Sequence, residues 1–381
     1  MESSHLPINW ESRENIYLLN SRIPVAEKVE IENKIKKYFS LHPDEGLIAL
    51  QTSGTTGAGK TVVHSRQNFL SAAAAVNNYL KVSKEDKWLR ALPLFHVGGL
   101  SIEARAYLSG SKVIVSEEAW DPKVFIKLLV QNKIQWASLV PTQLHDVLEL
   151  GEKPPQYLKA LILGGGFVSE GLRKKAVLQG WPLLWSFGMT ETAAMISLAK
   201  EPVIEPLEHS EIKIETDGYL SIKSASLFHG YIKADGTLDN PKINGWWTTG
   251  DQVKFENKKW ILLGRGADYI KISGEGAYLQ DLQSVLDEAG RDLKFPLTLY
   301  AQPDERRGQR IVLLIETKKN TINPSEVERV VSKFNANVLP VFKITSWAGI
   351  SFLPRNEMGK INRQELSDMI TTVTFVSVGG T

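Results

Sequence analysis

The chain of 381 residues contains no cysteine, and this absence excludes several kinds of chemistry. Disulfides, a thiol nucleophile and cysteine-ligated metal or iron–sulfur sites all need that residue. The seven histidines are scattered without metal-ligand spacing, so we expect no structural metal site. A chain without cysteine fits a reducing compartment, and we expect a cytoplasmic protein.

An excess of charge of one sign and a long apolar run are also missing. Lys and Arg total 45 against 43 Asp and Glu, which gives a net charge of +2, whereas nucleic-acid binders usually show a strong basic excess. No stretch approaches the ~18 uninterrupted apolar residues of a spanning helix, and the N-terminus lacks the pattern of a signal peptide. We expect neither a nucleic-acid partner nor a membrane span.

The first 200 residues instead alternate between strand and helix patterns. Residues 25–40 are typical of an amphipathic helix, and the short apolar run 47–51 is typical of a buried strand. Strands alternating with helices favour an α/β fold with a parallel sheet, whose site lies at the carboxyl ends of the strands. Further strands are expected at 88–94, 112–117, 136–141 and 158–166, and helices at 65–82, 122–133 and 141–150.

The pattern changes after about residue 200. Residues 211–263 give short alternating stretches separated by turn signals, which indicates a small antiparallel β layer. Helices and strands mix again beyond residue 268. We therefore expect a large N-terminal α/β domain, residues 1–265, which includes the β layer, and a small mobile α+β domain, residues 266–381.

A glycine-rich loop, TSGTTGAGK, occupies residues 52–60, between a predicted strand and a predicted helix. Small residues let a backbone approach phosphates closely, and Lys60 adds positive charge. Residues 54–61 also match the Walker A pattern G-x-x-x-x-G-K-[ST]. No convincing apolar strand ending in Asp follows within the next 150 residues, so a P-loop NTPase remains only an alternative.

Seven segments, in the same order, resemble the motifs of the acyl-adenylate-forming superfamily, which includes acyl-CoA synthetases, peptide-synthetase adenylation domains and luciferases. The resemblance implies that a carboxylic acid is activated with ATP as an acyl-adenylate and then passed to a thiol, with coenzyme A (CoA) as the expected co-substrate. The segments are TSGTTGAGK (52–60), PLFHVGGL (93–100), LILGGG (161–166), SFGMTETAAM (186–195), WWTTGD (246–251), GRGADYIKISGEG (264–276) and LPRNEMGKINR (353–363).

This resemblance implies a nucleotide-binding role for most of the motifs. Thr190 is expected to bind the α-phosphate, and Glu191 to help hold Mg²⁺, which bridges phosphate oxygens. Asp251 is expected to accept hydrogen bonds from the ribose hydroxyls, with Arg265 beside it. The β- and γ-phosphates are expected at Thr52, Ser53, Gly54, Thr55, Thr56, Gly57 and Lys60, and the adenine-side contacts at Gly165, Gly166, Phe187, Gly188 and Met189.

The resemblance also implies that two surfaces of the small domain serve the reaction in turn. Lys360 is expected to stabilise charge on the α-phosphate during attack by the carboxylate. Rotation about the hinge would then replace Lys360 with the face that carries Lys271 and Gly274, for attack by the thiol. Ala267 stands where most members have the first Asp of the hinge pair. His96 is expected at the acyl pocket.

Two strings, PLFHVGGLS and VPTQL (140–144), most resemble the o-succinylbenzoate–CoA ligase family of menaquinone synthesis. That acid has two carboxylates, and Arg105 and Thr142 are candidates to hold the one that does not react. The phosphate loop comes much earlier in this chain than in most members. Surface left bare by a shortened large domain would be covered by a second copy, so a homodimer is a hypothesis.

Besides the P-loop NTPase, three alternatives stay open on the sequence alone. The substrate could be another aryl or acyl acid, or the acceptor could be a carrier protein, although no appended carrier domain is visible. The third alternative is a nucleotide binder without activity. Retention of Glu191, Asp251 and Lys360 argues against it.

Overall fold

The structure is a computed structural model of the chain. Among the residues that it describes, no helix is both long and apolar enough to cross a membrane. The described residues are 8–20, 23–52, 60–116, 119–165, 168, 170–216, 218–265, 269–293, 295–317, 323–354 and 363–378.

Several helices begin where the sequence supplies a capping group. Ser65 and Asn68 form a capping box at the start of the second helix. Asp121 and Asn323 each accept backbone N–H groups at the start of another helix, and each is followed by proline. These side chains satisfy N–H groups that the first turn leaves unpaired. The helices are α1 (Val25–Leu41), α2 (Arg66–Leu80), α3 (Val97–Ser109), α4 (Pro122–Asn132), α5 (Pro141–Glu149), α6 (Glu170–Leu178), α7 (Leu279–Ala289), α8 (Pro324–Ala336) and α9 (Arg363–Ile370).

Strands within the described residues form four sheets. Apolar runs such as LIALQ supply strands with few exposed side chains, and alternating runs such as SEIKI supply strands with one exposed face. The strands are β1 (Ile16–Leu18), β2 (Leu47–Gln51), β3 (Thr61–Ser65), β4 (Lys87–Arg90), β5 (Lys112–Val115), β6 (Trp136–Leu139), β7 (Ala160–Leu163), β8 (Leu183–Met189), β9 (Ala194–Ala199), β10 (Ser210–Ile214), β11 (Tyr219–Ser224), β12 (Gly230–Ile232), β13 (Leu238–Asp239), β14 (Trp247–Glu256), β15 (Lys259–Arg265), β16 (Tyr269–Ile272), β17 (Glu275–Tyr278), β18 (Leu297–Asp304), β19 (Gly308–Glu316), β20 (Ser346–Ile350) and β21 (Val376–Ser377).

The sheet that positions the site has the order β5-β4-β6-β7-β8-β9. Its first five strands are parallel, and β9 runs antiparallel at the edge. All four residues of β6 and of β7 are buried, as expected for parallel strands covered on both faces. The carboxyl ends of β6, β7 and β8 therefore open at one edge of the sheet, where α/β folds bind their ligands.

The predicted mixed α/β class is confirmed, and so are most predicted elements of the large sheet. The helix predicted at 25–40 is α1, and the strand predicted at 47–51 has those bounds. The predicted strands of the parallel sheet end earlier than expected, at Arg90, Val115, Leu139 and Leu163. The predicted antiparallel layer is also confirmed, as β10, β11, β14 and β15 pair antiparallel.

The helix predicted at 65–82 is confirmed as α2, but it is not the next element after the glycine-rich loop. The loop joins β2 to β3, which pair antiparallel from Leu47 opposite Ser65 to Gln51 opposite Thr61. The helix begins only at Arg66. The run TVVHS is rich in β-branched residues, which favours a strand, and its four buried side chains complete a sheet with β12. This hairpin is not the strand–loop–helix context that a Walker A motif requires.

A separate core lies beyond residue 268. Its buried members extend from Ile270 to Trp347 and come from β16, β17, α7, β18, β19 and α8, together with the segments before and in β20. Strand β15 joins β16 through one paired position, Arg265 opposite Tyr269. The division of the chain at residues 265 and 266 stays a prediction, with which this separate core agrees.

Candidate active site

A cavity of about 1220 Å³ opens at the carboxyl edge of the parallel sheet. Its walls include Thr52 and Lys60 from the glycine-rich loop, Thr190 and Glu191 after β8, and Asp251 from β14. The volume is above the usual range for a small-ligand pocket. The structure therefore brings together motifs that lie up to 200 residues apart in the chain.

The base of the glycine-rich loop is closed by backbone contacts. Thr52 N–H donates to the carbonyl of Lys60 at 2.9 Å, and Lys60 N–H donates to Thr52 Oγ1 at 2.9 Å. Next to them, Thr61 Oγ1 donates to Gln51 Oε1 at 3.0 Å. The two ends of the loop are thus fixed at the cavity wall by a β-hairpin rather than by a helix.

The segment between β8 and β9 turns back within a very small space. A Cβ atom on Gly188 would lie 1.7 Å from the carbonyl oxygen of Ala194, so only glycine fits there. Ala193 and Ala194 have φ of 51° and 96°, a region that residues with side chains adopt at a cost. This strained reversal presents Thr190 and Glu191 to the cavity on a short 3-10 helix.

Glu191 is held by an aromatic residue from a distant strand. Its side chain is 8% exposed, and Tyr231 Oη donates to its Oε1 at 2.9 Å. Lys60 Nζ lies 4.5 Å from the centre of the Tyr231 ring, a distance at which an ammonium group is attracted to the ring face. Tyr231 therefore connects the predicted Mg²⁺ ligand to the end of the phosphate loop.

Thr190 is held from below by His64 of β3. The ring Nε2 lies 2.7 Å from the carbonyl oxygen of Thr190, so it must carry the hydrogen and donate. His64 is fully buried, and burial lowers its pKa to about 3. The histidine is therefore neutral at physiological pH and acts as a fixed hydrogen-bond donor beneath the predicted α-phosphate site.

The predicted ribose and adenine residues lie on the same cavity. Asp251 is 5% exposed, and its N–H donates to Thr249 Oγ1 at 3.0 Å. Gly165, at the end of β7, has φ of 80°, a conformation that favours glycine. The further predicted residues that line the cavity are Phe187, Gly188 and Met189.

A hairpin from the C-terminal part of the chain closes one side of the cavity. Strands β16 and β17 meet at Ser273 and Gly274, whose φ values of 52° and 90° suit a tight two-residue turn. A Cβ atom on Gly274 would lie 3.5 Å from Val140 Cγ1 and 3.8 Å from the Gly165 carbonyl oxygen. Lys271 also lines the cavity, so the predicted thiol-side face is the one that the structure places there.

His96 lies at the same junction. It precedes α3, lines the cavity, and has Nε2 3.8 Å from Glu275 Oε1. This position agrees with the predicted place at the acyl pocket and adds a contact with the C-terminal hairpin.

Arg105, on α3, reaches the cavity from inside the core. Its side chain is 1% exposed, Nη2 donates to Ser101 Oγ at 2.6 Å, and the guanidinium carbon lies 4.9 Å from the Trp88 ring centre. Its Nε and Nη1 have no hydrogen-bond partner among the described residues. Burial lowers the pKa of Arg105 to about 9, which still leaves it charged at pH 7. A buried cation with unused N–H groups favours an anionic ligand.

Several predicted residues lie outside what the structure describes, and their roles stay predictions. For Arg265 the structure gives the backbone, which pairs with Asp251. The predicted residues outside the described ranges are Ser53, Gly54, Thr55, Thr56, Gly57, Gly166 and Lys360.

Sequence reasoning missed His64 and Tyr231 as parts of the site. Their contacts join residues 126 and 40 positions apart, which no local pattern reveals. The available signals were a histidine within an otherwise β-branched buried run and a tyrosine just after a glycine in a short strand.

Comparison with known proteins agrees with this arrangement. Residues 11–232, more than half of the chain, match the family of AMP-binding enzymes. The chain belongs to this AMP-binding family. A 2-succinylbenzoate–CoA ligase of Listeria monocytogenes serotype 4b (strain F2365) is 32% identical over 332 residues, covering 84% of this chain and 69% of that protein. The Walker A reading is thereby excluded in favour of the AMP-binding reading of the same loop.

Two solved structures of o-succinylbenzoate CoA synthetase from Bacillus subtilis resemble this member of the AMP-binding family to different degrees. A double mutant bound with its product analogue OSB-NCoA has a TM-score of 0.71 at 25% identity, covering 87% of this chain and 70% of that one. The complex with ATP and magnesium ion has a TM-score of 0.56 at 25% identity, covering 84% and 70%. The arrangement of this chain is thus more similar to the product-analogue complex.

The buried state of His64 predicts a pH-dependent contribution to stability. The folded state keeps His64 neutral to about pH 3, whereas the unfolded chain binds the proton below about pH 6.5. The contribution is therefore complete above pH 6.5 and is lost progressively as the pH falls toward 3. Between pH 7.5 and pH 5 we expect wild type to lose about 2 kcal/mol more unfolding free energy than His64→Gln.

Denaturant unfolding of both proteins at pH 8.5, 7.5 and 5 measures this difference. Glutamine keeps an N–H donor near the position of Nε2, so the variant retains a bond to Thr190. The difference in unfolding free energy between the two proteins should be constant from pH 8.5 to 7.5. A difference that is also unchanged at pH 5 would contradict a neutral buried His64.

Proposed function

We propose that this protein joins o-succinylbenzoate to CoA in two steps, as an enzyme of menaquinone biosynthesis. In the first, a carboxylate oxygen attacks the α-phosphorus of ATP, the bond to the β-phosphate oxygen breaks, and pyrophosphate leaves. In the second, the CoA sulfur attacks the acyl carbon, the bond to AMP breaks, and a thioester and AMP result. One observation carries the proposal. The same cavity is lined by groups suited to phosphates and by the buried Arg105.

The geometry of the residues around the phosphate loop supports the proposed nucleotide roles. Thr52 and Lys60 fix the loop that would hold the β- and γ-phosphates, and Lys60 supplies positive charge at its end. Thr190, supported by His64, lies where it can donate its hydroxyl to the α-phosphate. Asp251 offers carboxylate oxygens to the ribose hydroxyls. Fixed donors of this kind stabilise developing charge without rearranging during the reaction.

Glu191 fits the Mg²⁺ that accompanies ATP. Its carboxylate lies at the cavity wall, is 8% exposed, and is oriented by Tyr231. Mg²⁺ usually takes one or two carboxylates together with substrate phosphates, and the described residues contain no cluster of three or more acidic, His or Cys side chains that would form a separate metal cage. Bound there, Mg²⁺ would neutralise phosphate charge.

The dicarboxylate substrate is supported by Arg105. A simple aryl or fatty acid would leave the buried guanidinium without a negatively charged partner, and a buried charge that lacks a counter-charge is costly. A second carboxylate in the cavity, which Arg105 helps to line, would supply that negative charge. Thr142 also lines the cavity and would offer a hydroxyl to the same group.

The small domain would supply each step with a different surface. Lys360 would approach the α-phosphate for adenylation, and the Lys271–Gly274 hairpin would line the cavity for thiol attack. The second arrangement is supported by the position of Gly274 against Val140 and by the greater similarity to the product-analogue complex. The homodimer and the cytoplasmic location stay predictions.

The reaction is tested by AMP release with ATP, Mg²⁺ and CoA over a panel of acids. We expect AMP with o-succinylbenzoate and little with benzoate, cinnamate or fatty acids. Lys360→Ala should lower adenylate formation at least about a hundredfold, because a positioned charge is lost. Lys343→Ala, at an exposed lysine of the same part of the chain, is the control and should match wild type. Release of ADP, or no turnover with any acid, would contradict the proposal.

The role of Arg105 is tested with a substrate that lacks one carboxylate. Arg105→Met keeps side-chain length and removes the charge. We expect KM for o-succinylbenzoate to rise about tenfold to a hundredfold, the usual value of a charge-assisted bond. KM for 3-benzoylpropionate, which keeps the ring and the keto acid chain, should change less than about threefold by the same reasoning. An equal rise for both acids would show a packing role only.

A further inference from the structure

A two-pronged ion pair joins the C-terminal part of the chain to the parallel-sheet domain. Arg306 Nε lies 2.7 Å from Asp146 Oδ1, and Arg306 Nη2 lies 3.0 Å from Asp146 Oδ2. This two-pronged geometry is the strongest that arginine makes with a carboxylate. The partners are 160 residues apart, on α5 and on the turn between β18 and β19.

Asp146 also accepts a hydrogen bond from a residue of its own part of the chain. Its side chain is 17% exposed, and Trp120 Nε1 donates to Oδ2 at 3.0 Å. Burial works against ionisation, but the hydrogen bonds from Arg306 and Trp120 outweigh it, so the pKa of Asp146 lies below its ordinary value. A carboxylate oriented in advance loses little entropy when the second domain docks.

Arg306 is connected to the cavity through its own turn. Asp304 Oδ1 accepts from the N–H groups of Arg306 and Arg307. The carbonyl of Arg307 accepts from Ser273 N–H at 3.0 Å. Ser273 and Gly274 form the tip of the hairpin that closes the cavity. A force that holds the Arg306 turn therefore also holds this tip.

The other end of the connection returns to the same place. Helix α5, which carries Asp146, begins immediately after Val140, and Val140 is the residue that Gly274 approaches. The C-terminal part of the chain thus contacts α5 at Asp146 and contacts Val140 just before the same helix. The contact at Asp146 therefore helps to fix the orientation of the hairpin against Val140.

We propose that the Asp146–Arg306 ion pair is a half-reaction-specific latch, which positions the Lys271–Gly274 hairpin for thioester formation and is open during adenylation. The latch rests on the proposed function, because adenylation would need Lys360 in place of this hairpin. The ion pair belongs to the arrangement that is more similar to the product-analogue complex than to the ATP complex. Asp146 and Arg306 are positioning residues, since neither lines the reacting part of the cavity.

A double-mutant cycle on the two half-reactions tests the latch. Wild type, Asp146→Asn, Arg306→Gln and the double variant are first mixed with ATP, Mg²⁺ and o-succinylbenzoate, and adenylate formation is timed without CoA. CoA is then added to the preformed adenylate, and thioester formation is timed. Arg306 is half exposed, so Arg306→Gln is expected to fold. This variant alone shows whether thioester formation is slowed while adenylate formation is not.

Each single variant should slow thioester formation about threefold to tenfold, the range for a well-aligned ion pair at a domain edge. Adenylate formation should change less than about twofold, because the pair is open in that step. The double variant should be no slower than the slower single variant, because the interaction can be lost only once. Arg329→Gln, at an exposed arginine on α8, is the matched control and should equal wild type in both steps.

Equal slowing of both half-reactions, additive effects in the thioester step, or no change in that step would overturn the latch. Failure of wild type to form an adenylate is a different result. It would remove the proposed function itself, and with it the latch.

Discussion

The site depends on the close approach of β8 to the chain that returns as β9. At Gly188 the returning backbone lies so near that a Cβ atom would be 1.7 Å from the Ala194 carbonyl oxygen. Only this approach lets the chain reverse within a few residues after β8, the parallel strand next to the edge, and run back as the antiparallel edge strand β9. The reversal places Thr190 and Glu191 at the carboxyl edge of the sheet, and the strain at Ala193 and Ala194 is retained because the packed sheet on both sides fixes it.

Two contacts attach the rest of the nucleotide site to that reversal. His64 donates to the Thr190 carbonyl, and Tyr231 donates to the Glu191 carboxylate. His64 belongs to β3 and Tyr231 to β12, and these two strands pair with each other. Strand β3 begins at the end of the phosphate loop. The loop and the reversal are therefore held by two neighbouring strands of one sheet. A displacement of either would be transmitted to the other through buried hydrogen bonds, which are costly to leave unmade.

Much of the scaffold follows from patterns within short stretches of sequence. Strands β6 and β7 were predictable because parallel strands covered on both faces require continuous apolar runs, and α2 because alanine-rich sequence favours helix. Strand β3 was not, since a five-residue run between a glycine-rich loop and a strong helix pattern is too short to show a clear period. The contact between Asp146 and Arg306 depends on how two packed units dock. The spacing of residues in the sequence does not predict that docking. The family motifs predicted several of the residues that line the cavity, whereas the groups that hold them needed the fold.

The central claim is that the carboxylate of the acid attacks the α-phosphorus of ATP. Substrate labelled with ¹⁸O in its carboxylates tests this directly. The carboxylate oxygen that attacks a phosphorus atom stays on that phosphorus when the thiol later breaks the bond between this oxygen and the acyl carbon. After turnover with ATP, Mg²⁺ and CoA, mass spectrometry should find one ¹⁸O in AMP and none in pyrophosphate. Label in inorganic phosphate together with ADP, or AMP without label, would contradict an acyl-adenylate and the account built on it.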